Sequence, residues 1–368
     1  MSNFEKFNLP VELHKALRGM RYEIPTPIQE KTIPIVLEGR DMIGIAQTGT
    51  GKTAAYALPI VSALHKHVEF QSLILVPTRE LALQIHQVCK ELTFHLRMIN
   101  TSVLIGGVSM YAQVRALSRF PRMVIATPGR LIDHIQQRTL SISHFNMVVL
   151  DEADRMLDIG FEPQLKRIFQ YLPKKRQTLL FSATFPKSIE RLAAQYLVNP
   201  VRVMLVNSAE PVKTIAQSVV KTTAQGKNDV LMKELRERKG TVLIFTRTKH
   251  RTDRLARLLN ESGFRVDRIH GDRTQAQRVR AMEAFRAQKV RILVATDIAS
   301  RGIDIPHIAH VVNYDLPQDA EDYVHRIGRT ARAGAEGESL CLLTPEDGLK
   351  WRRISRFVPE KANGLSRR

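Results

Sequence analysis

The sequence predicts an α/β protein: two doubly wound units in tandem, each a mostly parallel sheet flanked by helices. Three observations predict it. Short Val/Ile/Leu-rich runs alternate with amphipathic stretches, polar motifs directly follow those runs, and the alternation pauses once near the middle and restarts. Alternating strand and helix implies a sheet whose ligands bind beyond the carboxyl ends of its strands. At 368 residues the chain is long for one core and comfortable for two.

In the first half, residues 41–45, 73–76, 103–105, 123–126, 147–150 and 178–181 read as buried strands, with helical patterns over 80–92 and 131–137. Residues 206–211 are polar and turn-rich. Strand-like runs resume at 242–245, 266–269, 292–295, 311–314 and 339–342. The expected boundaries are a first unit at 1–206, a linker at 207–213, a second unit at 214–350 and a basic tail at 351–368. The tail carries Arg352, Arg353, Arg356, Lys361, Arg367 and Arg368, and reads equally as a frayed end or an electrostatic tether.

Charge narrows the partners. Lys and Arg number 56 against 36 Asp and Glu, a net charge of +20. Such a surplus points to a polyanion, with nucleic acid first; a merely solvated basic surface is the plainer alternative. Cys89 and Cys341 lie in apolar stretches without metal-ligand spacing, which argues against a disulfide framework. The N-terminus lacks the pattern of a secretory signal, and no apolar run is long enough to span a bilayer. A cytosolic protein is expected.

Two motifs carry the chemistry. Ala46-Gln47-Thr48-Gly49-Thr50-Gly51-Lys52-Thr53 is a P-loop with Ala46 where the first glycine usually stands. Gly49 and Gly51 let backbone N–H groups turn toward phosphates, assisted by the helix N-terminus that follows. Lys52 supplies charge to the β- and γ-phosphates, and the Thr53 hydroxyl reaches Mg²⁺. Asp151-Glu152-Ala153-Asp154 follows the run Met147-Val148-Val149-Leu150. Asp151 is expected to bind the metal, directly or through water, and Glu152 to orient or deprotonate the attacking water. An acidic helix N-terminus is the bland reading of that motif alone; beside a P-loop, a nucleoside triphosphatase is the better one. The second half has no P-loop, so a single nucleotide held by the first unit and completed by the second is expected.

With these motifs and the blocks that follow, the sequence resembles a DEAD-box RNA helicase over nearly its whole length, from about Phe4 to Leu343. The blocks are Tyr22-Glu23-Ile24-Pro25-Thr26-Pro27-Ile28-Gln29, Pro77-Thr78-Arg79-Glu80-Leu81, Gly106-Gly107, Thr127-Pro128-Gly129-Arg130 and Ser182-Ala183-Thr184. In the second half come Phe245-Thr246-Arg247-Thr248, Gln275 with Arg278, Ala295-Thr296-Asp297, Ser300-Arg301-Gly302-Ile303-Asp304 and His325-Arg326-Ile327-Gly328-Arg329-Thr330-Ala331-Arg332. The wording is most similar to the bacterial RhlE-type subgroup.

The resemblance implies two tandem RecA-like domains that close on ATP and single-stranded RNA. It implies adenine recognition by Gln29, whose carboxamide offers a donor and an acceptor, with Tyr22 and Phe4 stacking on or buttressing the base. Thr48, Gly49, Thr50, Gly51, Lys52 and Thr53 would hold the phosphates, Thr53 and Asp151 the Mg²⁺, and Asp304 the ribose. Arg329 and Arg332 match arginine fingers, and His325 and Arg326 match residues coupling that segment to the DEAD carboxylates. Ser182 and Thr184 would relay between nucleotide and RNA through hydrogen bonds to Asp154. Thr78, Arg79, Gly107, Thr127 and Arg130, with Arg273, Thr296 and Arg301, match positions that grip the RNA backbone. These groups suit phosphate or 2′-OH and none reads a base edge, so binding is expected to be sequence-independent.

Two details depart from the common wording: Arg21 stands where a glycine usually opens the Tyr22–Gln29 block, which is similar to the family's Q motif, and Ala331 where one often separates the fingers. Arg21 could shift the loop that presents Tyr22, whereas Ala331 reads as tolerable. A monomer is expected, with partners in RNA decay, ribosome assembly or RNA–protein remodelling. Three rivals are an ATP-gated RNA clamp with little unwinding, a translocating DNA helicase and a small-molecule P-loop kinase.

Overall fold

Four-residue apolar runs become fully buried strands when they have a strand on either side and helices on both faces. The computed structural model, which describes residues 3–47, 49–96, 99–205, 215–297, 308–318, 320–331 and 337–357, shows this arrangement twice. The expected linker 207–213 lies outside the described residues, as do 358–368. The chain divides into two units, Met1–Asn207 and Ser208–Arg368.

The first unit holds β1 (Met42–Ile45), β2 (Ser72–Leu75), β3 (Thr101–Leu104), β4 (Met123–Ala126), β5 (Met147–Leu150), β6 (Gln177–Ser182) and β7 (Val201–Met204). They form one sheet in the order β3-β4-β2-β5-β6-β1-β7, every pair parallel. Side chains alternate between faces. Met42, Ile74, Met147 and Val149 enter one core with Leu13 and Leu17 of α1 (Val11–Gly19), Ile28 and Ile33 of α2 (Pro27–Leu37), Ile60 of α3 (Lys52–Lys66) and Ile85 of α4 (Arg79–Leu92). Ile43, Leu73, Val148 and Leu150 enter the other. That side is covered by α6 (Pro128–Gln136), α8 (Glu162–Tyr171) and α9 (Lys187–Tyr196). Two shorter helices, α5 (Met110–Leu117) and α7 (Ala153–Asp158), follow β3 and β5.

The second unit has β8 (Ile215–Lys221), β9 (Val242–Thr246), β10 (Val266–Ile269), β11 (Ile292–Thr296), β12 (His310–Asn313) and β13 (Gly337–Leu343). Its parallel order is β10-β11-β9-β12-β13-β8. Alternation again makes two cores. Val242, Ile244, Ile292 and Val294 pack with α10 (Lys227–Glu237) and α11 (Lys249–Glu261), while Leu243, Phe245, Leu293 and Ala295 pack with α12 (Gln275–Arg286).

The structure adds β7 and β8, absent from the sequence reading. Both are edge strands, and an edge strand needs no continuous apolar run: β7 exposes Arg202 and Met204 and buries only Val203. The expected tail also needs correction. Gly348–Ile354 is helical and a 3₁₀ turn continues over Ser355–Phe357. Trp351 and Ile354, three residues apart, pack with Tyr323, Ile327 and Leu343. An apolar pair at helical spacing holds this segment to the domain although its neighbours are arginines. Cys89 and Cys341 are buried and unpaired, and burial pushes each thiol up to about 12, so neither is a ready nucleophile.

Candidate active site

The order β5-β6-β1 sets three motif-bearing ends side by side. Ile45 is in register with Ser182 and Leu150 with Leu180, so the loops after β1, β5 and β6 leave from one edge of the sheet. From β1 the chain enters the P-loop, where Gly49 and Gly51 have φ of 85° and 92°. Lys52 is buried as the first residue of α3, and its Nζ donates to the Ala46 carbonyl at 2.7 Å. Ala46 has no positive φ, and its N–H donates to the Ser182 carbonyl. The missing first glycine therefore costs no strain. Thr50 Oγ1 donates to the Gln47 carbonyl at 2.8 Å. Thr48 lies outside the described residues.

Asp151 follows β5 and is 2% exposed. Its Oδ1 accepts the Glu152 N–H at 2.9 Å and its Oδ2 accepts the Tyr56 hydroxyl at 2.8 Å. Burial pushes its carboxyl up to about 6, with the Glu152 charge adding to the rise while the Lys52 ammonium and the two hydrogen bonds hold it back. Burial, then the Asp151 charge, holds the Tyr56 phenol well above its ordinary value, so it stays a donor. Glu152 takes a left-handed φ of 52° at the start of α7, a conformation that costs a non-glycine residue about 1–2 kcal/mol. Its carboxylate pairs with the buried Arg155.

A divalent cation suits this donor set. A buried carboxylate with a raised pKa gains from a neighbouring positive charge, each Asp151 oxygen keeps a free lone-pair direction, and Thr53 follows Lys52 on α3.

Asp154 ties β5 to the segment after β6. Its Oδ2 accepts the Ala183 N–H at 3.0 Å, the Thr184 N–H at 2.9 Å and the Thr184 hydroxyl at 3.0 Å. Of the two expected hydrogen bonds to Asp154, Thr184 makes one and Ser182 does not. Ser182 ends β6 with its side chain fully buried, and its Oγ has no hydrogen-bond partner among the described residues. The chain turns toward Asp154 only after this position.

The Q motif reaches the P-loop through Gln29. Its Oε1 accepts the Thr26 N–H at 2.9 Å and its Nε2 donates to the Gly51 carbonyl at 3.1 Å. Half of the carboxamide's capacity is spent on orienting it, leaving one N–H and one lone pair. Arg21 has φ 57°, and the Tyr22 N–H reaches back to the Leu17 carbonyl at 2.9 Å. This is a left-handed helix C-terminus with an arginine in the glycine place, so the loop before Tyr22 forms normally. Phe4 is fully buried in the first-unit core, edge-on to Phe7, a placement that suits buttressing rather than stacking. Tyr22 is half-buried.

Further along the same sheet edge, β2, β4 and β3 deliver the phosphate-type residues. Thr78 caps α4, its Oγ1 accepting the Leu81 N–H at 3.3 Å. The Arg79 guanidinium lies on Gly106 and Gly107: a Cβ on Gly107 would sit 2.2 Å from Nη1, and φ there is +74°. Arg130 Nη1 donates to the Val108 carbonyl at 3.0 Å, and Thr127 starts α6. Gln113, which the sequence reading missed, braces this loop by bonding both the N–H and the carbonyl of Ile105.

In the second unit, Arg273 and Asp267 approach at 3.9 Å, and Thr296 ends β11. Arg326 is 3% exposed; its Nε and Nη2 donate to Asp297 at 2.6 and 2.7 Å, and its Nη1 to Asn313 Oδ1 and the Asp315 carbonyl. These bonds engage its fork within the second unit. His325 is half-buried and Arg329 buried. Arg301, Asp304 and Arg332 lie outside the described residues. Ala331 has φ 53°, so this departure also falls on a left-handed position, a strain the sequence reading did not foresee.

The DEAD/DEAH box helicase family model matches residues 26–192, and the helicase conserved C-terminal domain matches 226–334. The chain is 44% identical over 351 residues to the ATP-dependent RNA helicase CshA of Listeria monocytogenes, covering 94% of this chain and 67% of the relative. It is 45% identical over 349 residues to the ATP-dependent rRNA helicase RRP3 of Saccharomyces cerevisiae, covering 94% and 70%. Among solved structures it is similar to S. cerevisiae Dbp5 bound to RNA and ADP BeF3, with a TM-score of 0.88 at 30% identity, covering 97% and 93%. It is also similar to Mss116p bound to ssRNA and AMP-PNP, with a TM-score of 0.86 at 32% identity, covering 99% and 77%. The two parallel sheets are tandem RecA-like domains, and the chain belongs to the DEAD-box family of ATP-dependent RNA helicases.

Proposed function

We propose that this chain couples ATP hydrolysis to local separation of short RNA duplexes, with the first unit holding the nucleotide and the second completing the reaction centre when ATP and RNA are both bound. One observation carries this reading. Lys52 bonds the Ala46 carbonyl, the Ala46 N–H bonds the Ser182 carbonyl and Thr184 bonds Asp154, so groups that would touch phosphate and the segment after β6 share adjoining strand ends.

Gln29 would read the adenine edge with its remaining donor and acceptor, beside Tyr22. Gly49, Thr50 and Gly51 would present N–H groups to the phosphates, and Lys52 would exchange the Ala46 carbonyl for phosphate oxygen. Asp151 and Thr53 would hold Mg²⁺; bound there, the ion neutralises charge on the β- and γ-phosphates. Glu152 would orient the attacking water, and Arg329 and Arg332 would stabilise the transferring phosphoryl group, with His325 beside them and Asp304 on the ribose. Thr78, Arg79, Gly107, Thr127 and Arg130 would grip one strand's backbone together with Arg273, Thr296 and Arg301. Backbone contacts that bend that strand exclude its partner, and hydrolysis resets the cycle. No helix among the described residues is long and apolar enough to cross a membrane. The RhlE-type subgroup remains a reading of sequence wording, and the relatives named above are CshA and RRP3.

The test is strand displacement on a duplex of roughly ten base pairs, short because each stacking step is worth only about 1.4 kcal/mol. ATP-dependent release of the shorter strand, lost in Lys52→Ala, is expected. RNA retention under ATP without release would instead identify a clamp.

A further inference from the structure

Tyr56 lies one helical turn beyond Lys52 on α3, inside an apolar stretch, fully buried with its ring 5.3 Å from that of Phe181. A buried phenol needs a hydrogen-bond partner, and this one donates to Asp151 Oδ2 at 2.8 Å. The other carboxylate oxygen accepts the Glu152 N–H at 2.9 Å. Two donors on two different oxygens fix the plane of the carboxylate, because rotation about its Cβ–Cγ bond breaks both. Each oxygen retains a second lone-pair direction. Phenylalanine would fill the same volume against Phe181 but leave the carboxylate held at one oxygen only. The hydroxyl's contribution is thus to Asp151, separable from the ring's contribution to the core.

We propose that Tyr56 is a positioning residue that holds the Asp151 carboxylate in the orientation required by the divalent cation accompanying the nucleotide, and so sets the site's metal affinity. The inference rests on Asp151 being the metal-binding carboxylate. Partners that orient a metal ligand are worth 10- to 100-fold in metal affinity or activity. The arrangement also gives α3 two tasks on one helix: Lys52 at its first residue for phosphate, Tyr56 one turn later for the carboxylate.

The test compares wild type, Tyr56→Phe and Asp151→Asn in the full chain. Binding of a fluorescent ADP is measured in EDTA and in magnesium, and the ratio of the two dissociation constants reports the coupling between metal and nucleotide. Tyr56→Phe is expected to lower that ratio about tenfold with ADP affinity in EDTA unchanged. The half-saturating magnesium for ATP turnover should rise by a similar factor, with turnover recovering at high magnesium. An unchanged ratio in Tyr56→Phe beside a lost one in Asp151→Asn overturns the role of Tyr56, as does a fall in melting temperature with the ratio intact. A wild-type ratio in Asp151→Asn means that the metal assignment itself is wrong.

Discussion

The Gln29 side-chain amide donates to the Gly51 carbonyl at 3.1 Å, joining the Q motif to the P-loop at a glycine that nothing larger can replace. A Cβ on residue 51 would lie 2.4 Å from Gln29 Nε2, and the backbone there is left-handed at φ 92°. Base recognition and phosphate binding are therefore mechanically one object.

Gly51→Ala is expected to abolish nucleotide binding and to destabilise the first unit, with the backbone conformation alone costing about 1–2 kcal/mol. Fluorescent-nucleotide titration and chemical denaturation check both halves. Wild-type ATP affinity in this variant would show that the Gln29–Gly51 bond does not shape the site.

Asp151 makes a prediction about pH with a defined sign. Its folded pKa is raised from 3.8 to about 6. Its favourable contribution is fully present below about pH 4, where both folded and unfolded chains are protonated at this position, and is lost as pH rises through about 6. Above that range the buried charge opposes folding by up to about 3 kcal/mol. Metal-free Asp151→Asn should therefore melt above wild type at pH 7.5, with the advantage shrinking toward pH 4. A constant difference across that range contradicts the assignment.

Central strands and motif ends were legible because their residues answer to one rule each: apolar on both faces, or polar where a strand stops. The runs 123–126 and 147–150 coincide with β4 and β5, and 292–295 falls within β11. Edge strands β7 and β8 follow no such rule. Tyr56 was hidden for another reason. It sits in the apolar face of α3 and looks like packing, and only its distance to Asp151, 95 residues away, shows otherwise. Its place four residues after Lys52 was the available signal. Gln113 was equally silent, since a lone glutamine on an amphipathic helix carries no pattern. For Phe4 a family position names the residue without saying how it packs, and the burial is visible only in the fold.

Arg21 and Ala331 both occupy left-handed backbone, with φ 57° and 53°. Replacing either by glycine removes about 1–2 kcal/mol of strain and adds back roughly 0.5–1 kcal/mol of unfolded-state freedom. Each of Arg21→Gly and Ala331→Gly should stabilise its own unit slightly, by up to about 1 kcal/mol, as urea denaturation would read. Loss of stability in both would mean that the side chains make compensating contacts.

Arg326 binds Asp297 in a fork and also reaches Asn313 and the Asp315 carbonyl from a buried position. A lysine cannot reproduce a bidentate fork. Arg326→Lys should destabilise the second unit by about 3 kcal/mol, within the range for breaking a buried ion pair, and lower RNA-stimulated turnover with it. Normal stability alongside lost turnover would instead assign Arg326 the coupling role its family position implies.

Steady-state ATP hydrolysis by wild type and Glu152→Gln, with and without single-stranded RNA, beside ATP-dependent RNA binding, tests the proposed cycle most directly. RNA should stimulate the wild type, and Glu152→Gln should still bind ATP and RNA together but not turn over. Wild-type hydrolysis indifferent to RNA, or normal hydrolysis by Glu152→Gln, would contradict it.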